Sequence, residues 1–452
     1  MFFKLFKRRK KVEEAMDQAA EGQREIVNKS LDQSFKAYVV RQFRKNKLAL
    51  FSFYFASILA FIALFADFIA NEKPLVAQYE DEIFFPVLRD YSVSMGFAEW
   101  PTQFQNITWS ELEYDWVVWP LIPYLPQNMD FMNSQFVSPL EEQEVKSLRW
   151  KHWMGTDALG RDVLSGMIHG TRIAFLVGII SMSISGFIGI FLGALAGYFG
   201  DDRLKVSRAK FFLNILFIVL GFYYGFGVRS LTLEEAFSTS IGGGVFQILI
   251  SVMIVTVFIA LGNLLAIPFS KLPWLKGKMG VPMDLIITRM IEIIVSVPKL
   301  ILIMSIVAIV KPSIFIVMVI IGLTSWTGIA RFIRAELLKV RNLEFMEAAN
   351  ALGFSNFRSL LKHAIPNALS PVFIAIAFGI AAAILIESTL SFLGIGVSAE
   401  TITWGKLLSI ARSAPDAWWL AIFPGFAIFI TVTIFNLIGE GLTDALDPRL
   451  KK

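Results

Sequence analysis

The chain has 452 residues, 55% of them hydrophobic and 17% charged, with 42 phenylalanines and a mean hydropathy of +0.61. That balance excludes a water-soluble globular domain and points to an all-α polytopic membrane protein. There is no cysteine, which removes disulfides and thiolate ligands, and the formal charge of +5 resides in loops beside apolar runs, where bilayer orientation rather than nucleic acid accounts for it.

The first segment, 1–47, is a cytoplasmic N-terminal arm: MFFKLFKRRKK is basic but lacks the apolar core and cleavage site of a signal peptide, so it is expected to stay attached. Its polar stretch 12–40 carries no assignable function. Crossing a hydrocarbon layer of ~30 Å takes roughly 20 apolar residues. Eight runs meet that length, at 48–70, 173–199, 211–228, 244–268, 285–310, 313–330, 372–397 and 419–438. The third is the shortest and holds Gly221, Gly225 and Gly227, so a re-entrant segment is its alternative.

Charge gives each connection a side. RQFRKNK (41–47) places four basic residues before the first span, 71–150 carries 13 acidic residues against 4 basic ones, and Arg331 to Lys362 holds six basic residues. With both termini in the cytoplasm, the first span is 48–70, 71–153 is an extracytoplasmic loop, and 154–200 holds an interfacial helix and the second span. An inserted helical hairpin at 201–280 follows, then a core at 281–442 with a cytoplasmic loop at 331–371, and a cytoplasmic tail at 443–452. The tryptophans of the outer loop suit an interfacial belt and a small packed lid. Thr156 and Asp157 can cap a short helix with Leu159, Val163 and Met167 on its apolar face, either an elbow or part of an outer gate.

Two acids lie inside spans. Glu292 follows Arg289 at helical pairing distance, and Glu387, deeper in AILIESTLSFLGIG, is a candidate for the translocation pathway or for helix packing. The Gly-Lys pairs at 277–278 and 405–406 lack the upstream glycine and the following Ser or Thr of a phosphate-binding loop, so this chain is not expected to hydrolyse ATP. His152, His169 and His363 show no metal-ligand spacing, and no nucleophile constellation stands out. No enzyme activity, metal or bound cofactor is expected.

MEAANALGFSNFRSLLKHAIPNALSP (346–371) is polar and basic between two spans. Asn342 to Leu352 has helix-forming composition, Gly353 suits a left-handed helix end, Ser355 can cap a second helix to about Ala364, and Pro366 is expected to close it. A connection this long suggests either a docking surface for a cytoplasmic partner or a plain solvated hairpin.

Here the residues carry a resemblance. Glu347-Ala348-Ala349, Gly353 and His363-Ala364-Ile365-Pro366-Asn367 resemble the EAA loop of permease subunits of bacterial ABC importers. FRKNKLAL (43–50) and MGTDALGRDVLSGMIHGTR (154–172) are similar to the C-type permeases of oligopeptide and dipeptide importers. The outer-loop stretch at 68–92 and the pieces WPLIPYLP and MDFMN look like the Yej, or microcin C-type, branch. The resemblance covers roughly 41–200 and 281–450. It implies a core of six transmembrane helices, to which the insertion adds two. It further implies a coupling helix seated in an ATP-binding subunit, with Glu347, Ala348, Ala349, Gly353, His363 and Pro366 as its ATPase-coupling residues. The partners implied are a second permease subunit, two ATP-binding subunits that use the ATP, and an extracytoplasmic substrate-binding protein, all in the inner membrane. An ion- or proton-coupled secondary carrier and a non-transporting interaction subunit are the alternatives.

Overall fold

The structure is a computed structural model that describes residues 37–105, 107–239, 241–398 and 400–446. Most of the N-terminal arm and the last residues of the tail lie outside the described residues. The elements that position the sites are, in chain order, α1 (Lys47–Leu64), α2 (Ala66–Ile69), β1 (Val76–Tyr79), β2 (Glu82–Phe84), α3 (Pro86–Ser94), β3 (Trp116–Val118), α4 (Val163–Ala194), β4 (Lys205–Ser207) and α5 (Arg208–Phe222). There follow α6 (Ser230–Thr239), α7 (Ile241–Phe269), β5 (Lys278–Gly280), α8 (Met283–Ser296), α9 (Lys299–Val307), α10 (Ile314–Val340), α11 (Glu344–Ala351), α12 (Asn356–Ser359), α13 (Ile365–Ala368), α14 (Ser370–Phe392), α15 (Trp404–Ser413) and α16 (Trp419–Leu446). Among the described residues seven helices are long and apolar enough to cross a membrane, and the pair α8–α9, interrupted at Val297–Pro298, makes an eighth if it is one span.

The chain forms two compact units. The first comprises residues 1–190, 295–332 and 367–452. In lipid, apolar surface gains little by leaving its solvent, so helices associate where small residues allow close packing. The unit is built on that rule. A Cβ on Gly441 of α16 would stand 2.2 Å from Ala49 Cβ of α1, and one on Gly178 of α4 would stand 2.7 Å from Ile380 of α14. Polar groups fasten the first of these joints: Asn46 caps α1 through the Ala49 N–H (3.1 Å) and donates to Asp444 (3.0 Å). Ile303, Val317, Ile321 and Leu390, all fully buried, form the apolar centre between α9, α10 and α14.

Beyond the end of α1 the chain builds a small module, expected on the outer side. Its sheet is antiparallel in the order β2-β1-β3, with Ala77 opposite Phe84 and Val117. Trp109 is buried there against Phe104, whose ring stacks at 5.5 Å. At its base lies His152, fully buried, with Nδ1 2.8 Å from Asp162 and Nε2 3.2 Å from Asp130. Burial works against charge on this imidazole, but the two carboxylates outweigh it and raise the His152 pKa. The Asp130 carboxyl is lowered in turn, since Asn133 and His152 overcome its burial. Gly160 is required in this knot because its φ is +76° and a Cβ would stand 1.9 Å from the Asp130 carbonyl oxygen.

The interfacial helix expected before the second span is absent as a separate element. Thr156 and Asp157 lie in a turn: Thr156 bridges to Asp162, and Asp157 accepts from the N–H groups of Leu159 and Arg161. The true cap is Asp162, which accepts from the Ser165 N–H at 2.6 Å, and α4 then runs unbroken from Val163. Asp162 is 2% exposed, with the His152 ring bonded to its carboxylate.

The second unit comprises residues 191–294 and 333–366. Within it α5 and α7 form a hairpin whose glycines face inward. Cβ atoms at Gly221 and Gly225 would stand 3.2 Å from Val255 Cα and 2.9 Å from the Ser251 carbonyl oxygen, and one at Gly262 would stand 3.0 Å from Phe217. A two-stranded ladder, β4 against β5 with Lys205 opposite Gly280, ties the base. The turn of the hairpin carries a further short helix, α6, that sequence reasoning did not separate. In the same unit Arg334 on α10 binds both carboxylate oxygens of Asp284 on α8, one at 2.7 Å. The cytoplasmic loop expected from residue 331 begins later, since α10 continues as helix to Val340. At the other end of the core, α16 extends to Leu446, past the boundary expected at 442.

Candidate coupling site

The EAA stretch folds as two short helical segments about a glycine. α11 opens with Glu344 and Glu347 in its first turn, where acidic side chains complement the positive end of the helix dipole. It closes through a bond from the Phe354 N–H to the Ala349 carbonyl (3.1 Å), which wraps the end around Gly353 at φ +76°. Ser355 then accepts from the Arg358 N–H at 3.3 Å and starts α12.

The Phe354 ring meets one cation and one imidazole. The Arg358 guanidinium lies 4.7 Å from its centroid, and the His363 ring is nearly parallel to it at 6.1 Å. This contact braces the two segments, and it gives His363 a place in the turn that its sequence position alone did not define. The two alanines divide: Ala349 is buried and Ala348 exposed. Glu347 is exposed beside it.

Pro366 does not close the second helix. The chain makes a π-helical turn at Leu360–Ala364 and continues as α13 through Ala368, with α14 starting at Ser370. Pro366 sits in the first turn after the wide π turn, where a missing N–H is tolerated.

While Met346, Ala349, Leu360 and Ala364 are buried, Leu343, Phe345, Leu352, Phe357 and Leu361 stand out from the same segment, Leu352 being 72% exposed and Phe357 64%. Arg358, Lys362 and Glu347 are also exposed. An apolar surface with charged neighbours on a short braced element is the composition of a protein docking face.

The two acids of the spans have different settings. Glu292 pairs with Arg289 at 2.6 Å, and both side chains are exposed. Glu387 is 2% exposed; the Ser391 hydroxyl donates to it at 2.6 Å and the Ser388 hydroxyl at 3.4 Å. Gly405, in the first turn of α15, packs so close that a Cβ would meet the Ser388 carbonyl oxygen at 2.3 Å. Sequence reasoning did not find α15, whose ten residues are too few to span and too polar to read as apolar. It also passed over Lys299, although a basic residue directly after a proline inside an apolar run was a usable signal.

Residues 272–452 match the family described as the binding-protein-dependent transport system inner membrane component, and residues 34–87 match the N-terminal transmembrane domain of oligopeptide transport permease C. The oligopeptide transport system permease protein OppC of Haemophilus influenzae is 33% identical over 299 residues, 66% of this chain and 70% of its own length. The chain belongs to the oligopeptide-type permease family. The permease is also similar, over 90% of its length, to two proteins named YejE. One is the peptidoglycan transport system permease protein of Agrobacterium fabrum, 28% identical over 92% of that protein, and the other is the inner membrane ABC transporter permease protein of Escherichia coli, 27% identical over 95%. Membership sets aside the secondary-carrier alternative: this is a permease subunit, a component that conducts rather than catalyses. The 344–366 segment lies inside the family match at 272–452.

Proposed function

We propose that the permease imports peptides or peptide-like compounds as one subunit of an ATP-driven complex in the bacterial inner membrane. It works with a second permease, two ATP-binding subunits and an extracytoplasmic binding protein. Both its termini are cytoplasmic, the ATP is bound and hydrolysed on the separate subunits, and the permease itself holds no cofactor. The relatives named for oligopeptide and peptidoglycan transport support the substrate class.

The observation that carries this reading is the exposed apolar surface of Leu343, Phe345, Leu352, Phe357 and Leu361 on a segment locked by Gly353, Ser355 and the Phe354 stack. A loop that only joined two spans would gain nothing from being stiff and apolar at once. Seated in an ATP-binding subunit, it transmits closure of that subunit to the spans as a displacement of a rigid body. Ala348 supplies close approach, Glu347 a charge for a basic partner, and His363 with Pro366 the stiffness of the second segment. Glu387 serves the pathway by bracing its wall, since the carboxyl held by Ser388 and Ser391 of α14 also accepts from the hydroxyl of Thr403 at the start of α15.

Purification of the assembled complex tests the reading. Wild-type permease should carry ATP-binding subunits in stoichiometric amount, and Phe357→Asp with Leu361→Asp, which change only exposed side chains, should lose them while the permease stays folded in the membrane. Retention of both subunits by the double variant would remove the docking role.

A further inference from the structure

Lys299 stands at the interruption between α8 and α9. Pro298 adopts an extended conformation (φ −54°, ψ 121°) and offers no side-chain cap, so α9 opens with its first N–H groups uncapped, the earliest helical bond running from the Leu302 N–H to the Pro298 carbonyl at 3.0 Å. Lys299 is the first residue of this half-helix. Its half-buried side chain donates from Nζ to the Ser325 hydroxyl on α10 at 2.6 Å, and that hydroxyl in turn donates to the Ile321 carbonyl.

Three other cations on the span helices face carboxylates. Arg172 faces Asp67 at 2.8 Å, Arg289 faces Glu292 at 2.6 Å and Arg334 faces Asp284. Lys299 alone of these has no carboxylate within ion-pair distance among the described residues. An ammonium has three N–H donors, and one is used. A cation held in a span with open donors is costly unless an anion meets it. No resident counter-ion meets this ammonium among the described residues, and the uncapped end of α9 adds positive potential at the same point. In transporters, half-helix ends inside broken spans face the anionic groups of their substrates. The one anionic group that every free peptide carries is its terminal carboxylate.

We propose that Lys299 is a specificity-determining residue that engages the free carboxylate of the transported peptide as it passes the broken span. This rests on the reading of the permease as a peptide importer. Ser325 positions the ammonium between passages, and the carboxylate takes the open donors.

The test uses the complete complex in proteoliposomes with its binding protein, and alanyl tripeptides supplied both as free acids and as C-terminal amides. ATP-dependent uptake of the acid relative to the amide is read for each variant against wild type, so any preference of the binding protein cancels. Lys299→Ala and Lys299→Met should lower that ratio about tenfold, the factor expected for one charge-assisted contact, while Lys299→Arg holds it within about twofold. A ratio unchanged in Lys299→Ala overturns the inference. So does an equal loss of both uptakes together with loss of the second permease on purification, which would assign the ammonium to an acid of that subunit. Should Lys299→Ala fail to assemble, Lys299→Met and Lys299→Arg decide the same ratio. If wild type takes up neither form of any peptide, the importer reading fails, and this inference with it.

Discussion

Gly353 allows the coupling reading to be tested with a cost known in advance. Its φ is +76°, and a Cβ placed there meets nothing within 4 Å. A side chain therefore brings no clash, and the whole penalty is the backbone's, about 1–2 kcal/mol for an ordinary L residue in the left-handed region. Asn, which tolerates that region, should cost less, and Val, branched at Cβ, should cost more. Because 1.4 kcal/mol is a factor of ten in an equilibrium constant, Ala should lower the ratio of correctly turned to otherwise arranged segment about five- to thirtyfold. The turn fixes where Phe354 and Ser355 stand, so the loss falls on the docked arrangement and spares the spans. In the reconstituted complex, substrate uptake per ATP hydrolysed should fall in the order Gly, Asn, Ala, Val, with unchanged membrane content. Equal coupling in Gly353→Val and wild type would refute the argument, because it would show that the turn is not part of force transmission.

Other consequences are open to measurement. The His152 contribution to the outer module is fully present below the ordinary imidazole value of 6.5 and is lost as pH rises through the raised folded value; the Asp130 contribution is present above 3.8 and is lost as pH falls through its lowered value. Hydrogen exchange at residues 130–165, corrected for intrinsic rate, should therefore be slowest at mildly acidic pH, and His152→Gln should flatten the alkaline limb. Asp284→Asn, which leaves the half-buried Arg334 short of a charge, should cost about 1–2 kcal/mol in detergent, read as a lower Tm, after allowance for partial exposure. Gly225→Ala places a Cβ 2.9 Å from a backbone oxygen and should destabilise by about 1–3 kcal/mol, whereas Gly227→Ala, whose nearest neighbour is a ring carbon at 3.5 Å, should cost less; equal Tm values would contradict the packing of α5 on α7. Single cysteines at Asp130 and Glu234 should react with an impermeant reagent from outside intact cells, and ones at Lys278 and Ser355 should not. The reverse pattern would invert the proposed topology.

The apolar runs made the spans legible, because 20 apolar residues in a row admit few other structures. Short motifs were legible where a single residue type is physically required, as at Gly353 and Ser355. What escaped was set by contacts distant in sequence. The Thr156–Asp157 pair has the composition of a helix cap, yet Asp162 takes that part because His152, ten residues away, buries and orients it. Pro366 has the composition of a stop, yet the π turn before it removes the need for its N–H. The inward and outward placement of Ala349 and Ala348 follows from where the two segments pack, which spacing within one helix does not fix.

The polar groups of the spans divide by the work they permit. Thr171, Thr324, Thr433 and Thr443 each donate to a carbonyl of their own helix four residues back, at 2.8–3.0 Å. Such hydroxyls are satisfied by local structure and remain so if a neighbouring helix shifts, so they set no fixed position between helices. Other polar groups reach a second helix instead. Asn46 reaches Asp444 and Arg172 reaches Asp67, and each pair would leave an unpaired group in a low-dielectric setting if its helices separated. The joints of α1 to α16 and of α2 to α4 are thereby fixed ones. A permease that changes access must move at contacts made of self-satisfied hydroxyls and apolar side chains, such as Ile303, Val317 and Ile321 around α9. Lys299, at the start of that helix and held by one hydroxyl, is placed where motion costs least and where a passing anion has most effect.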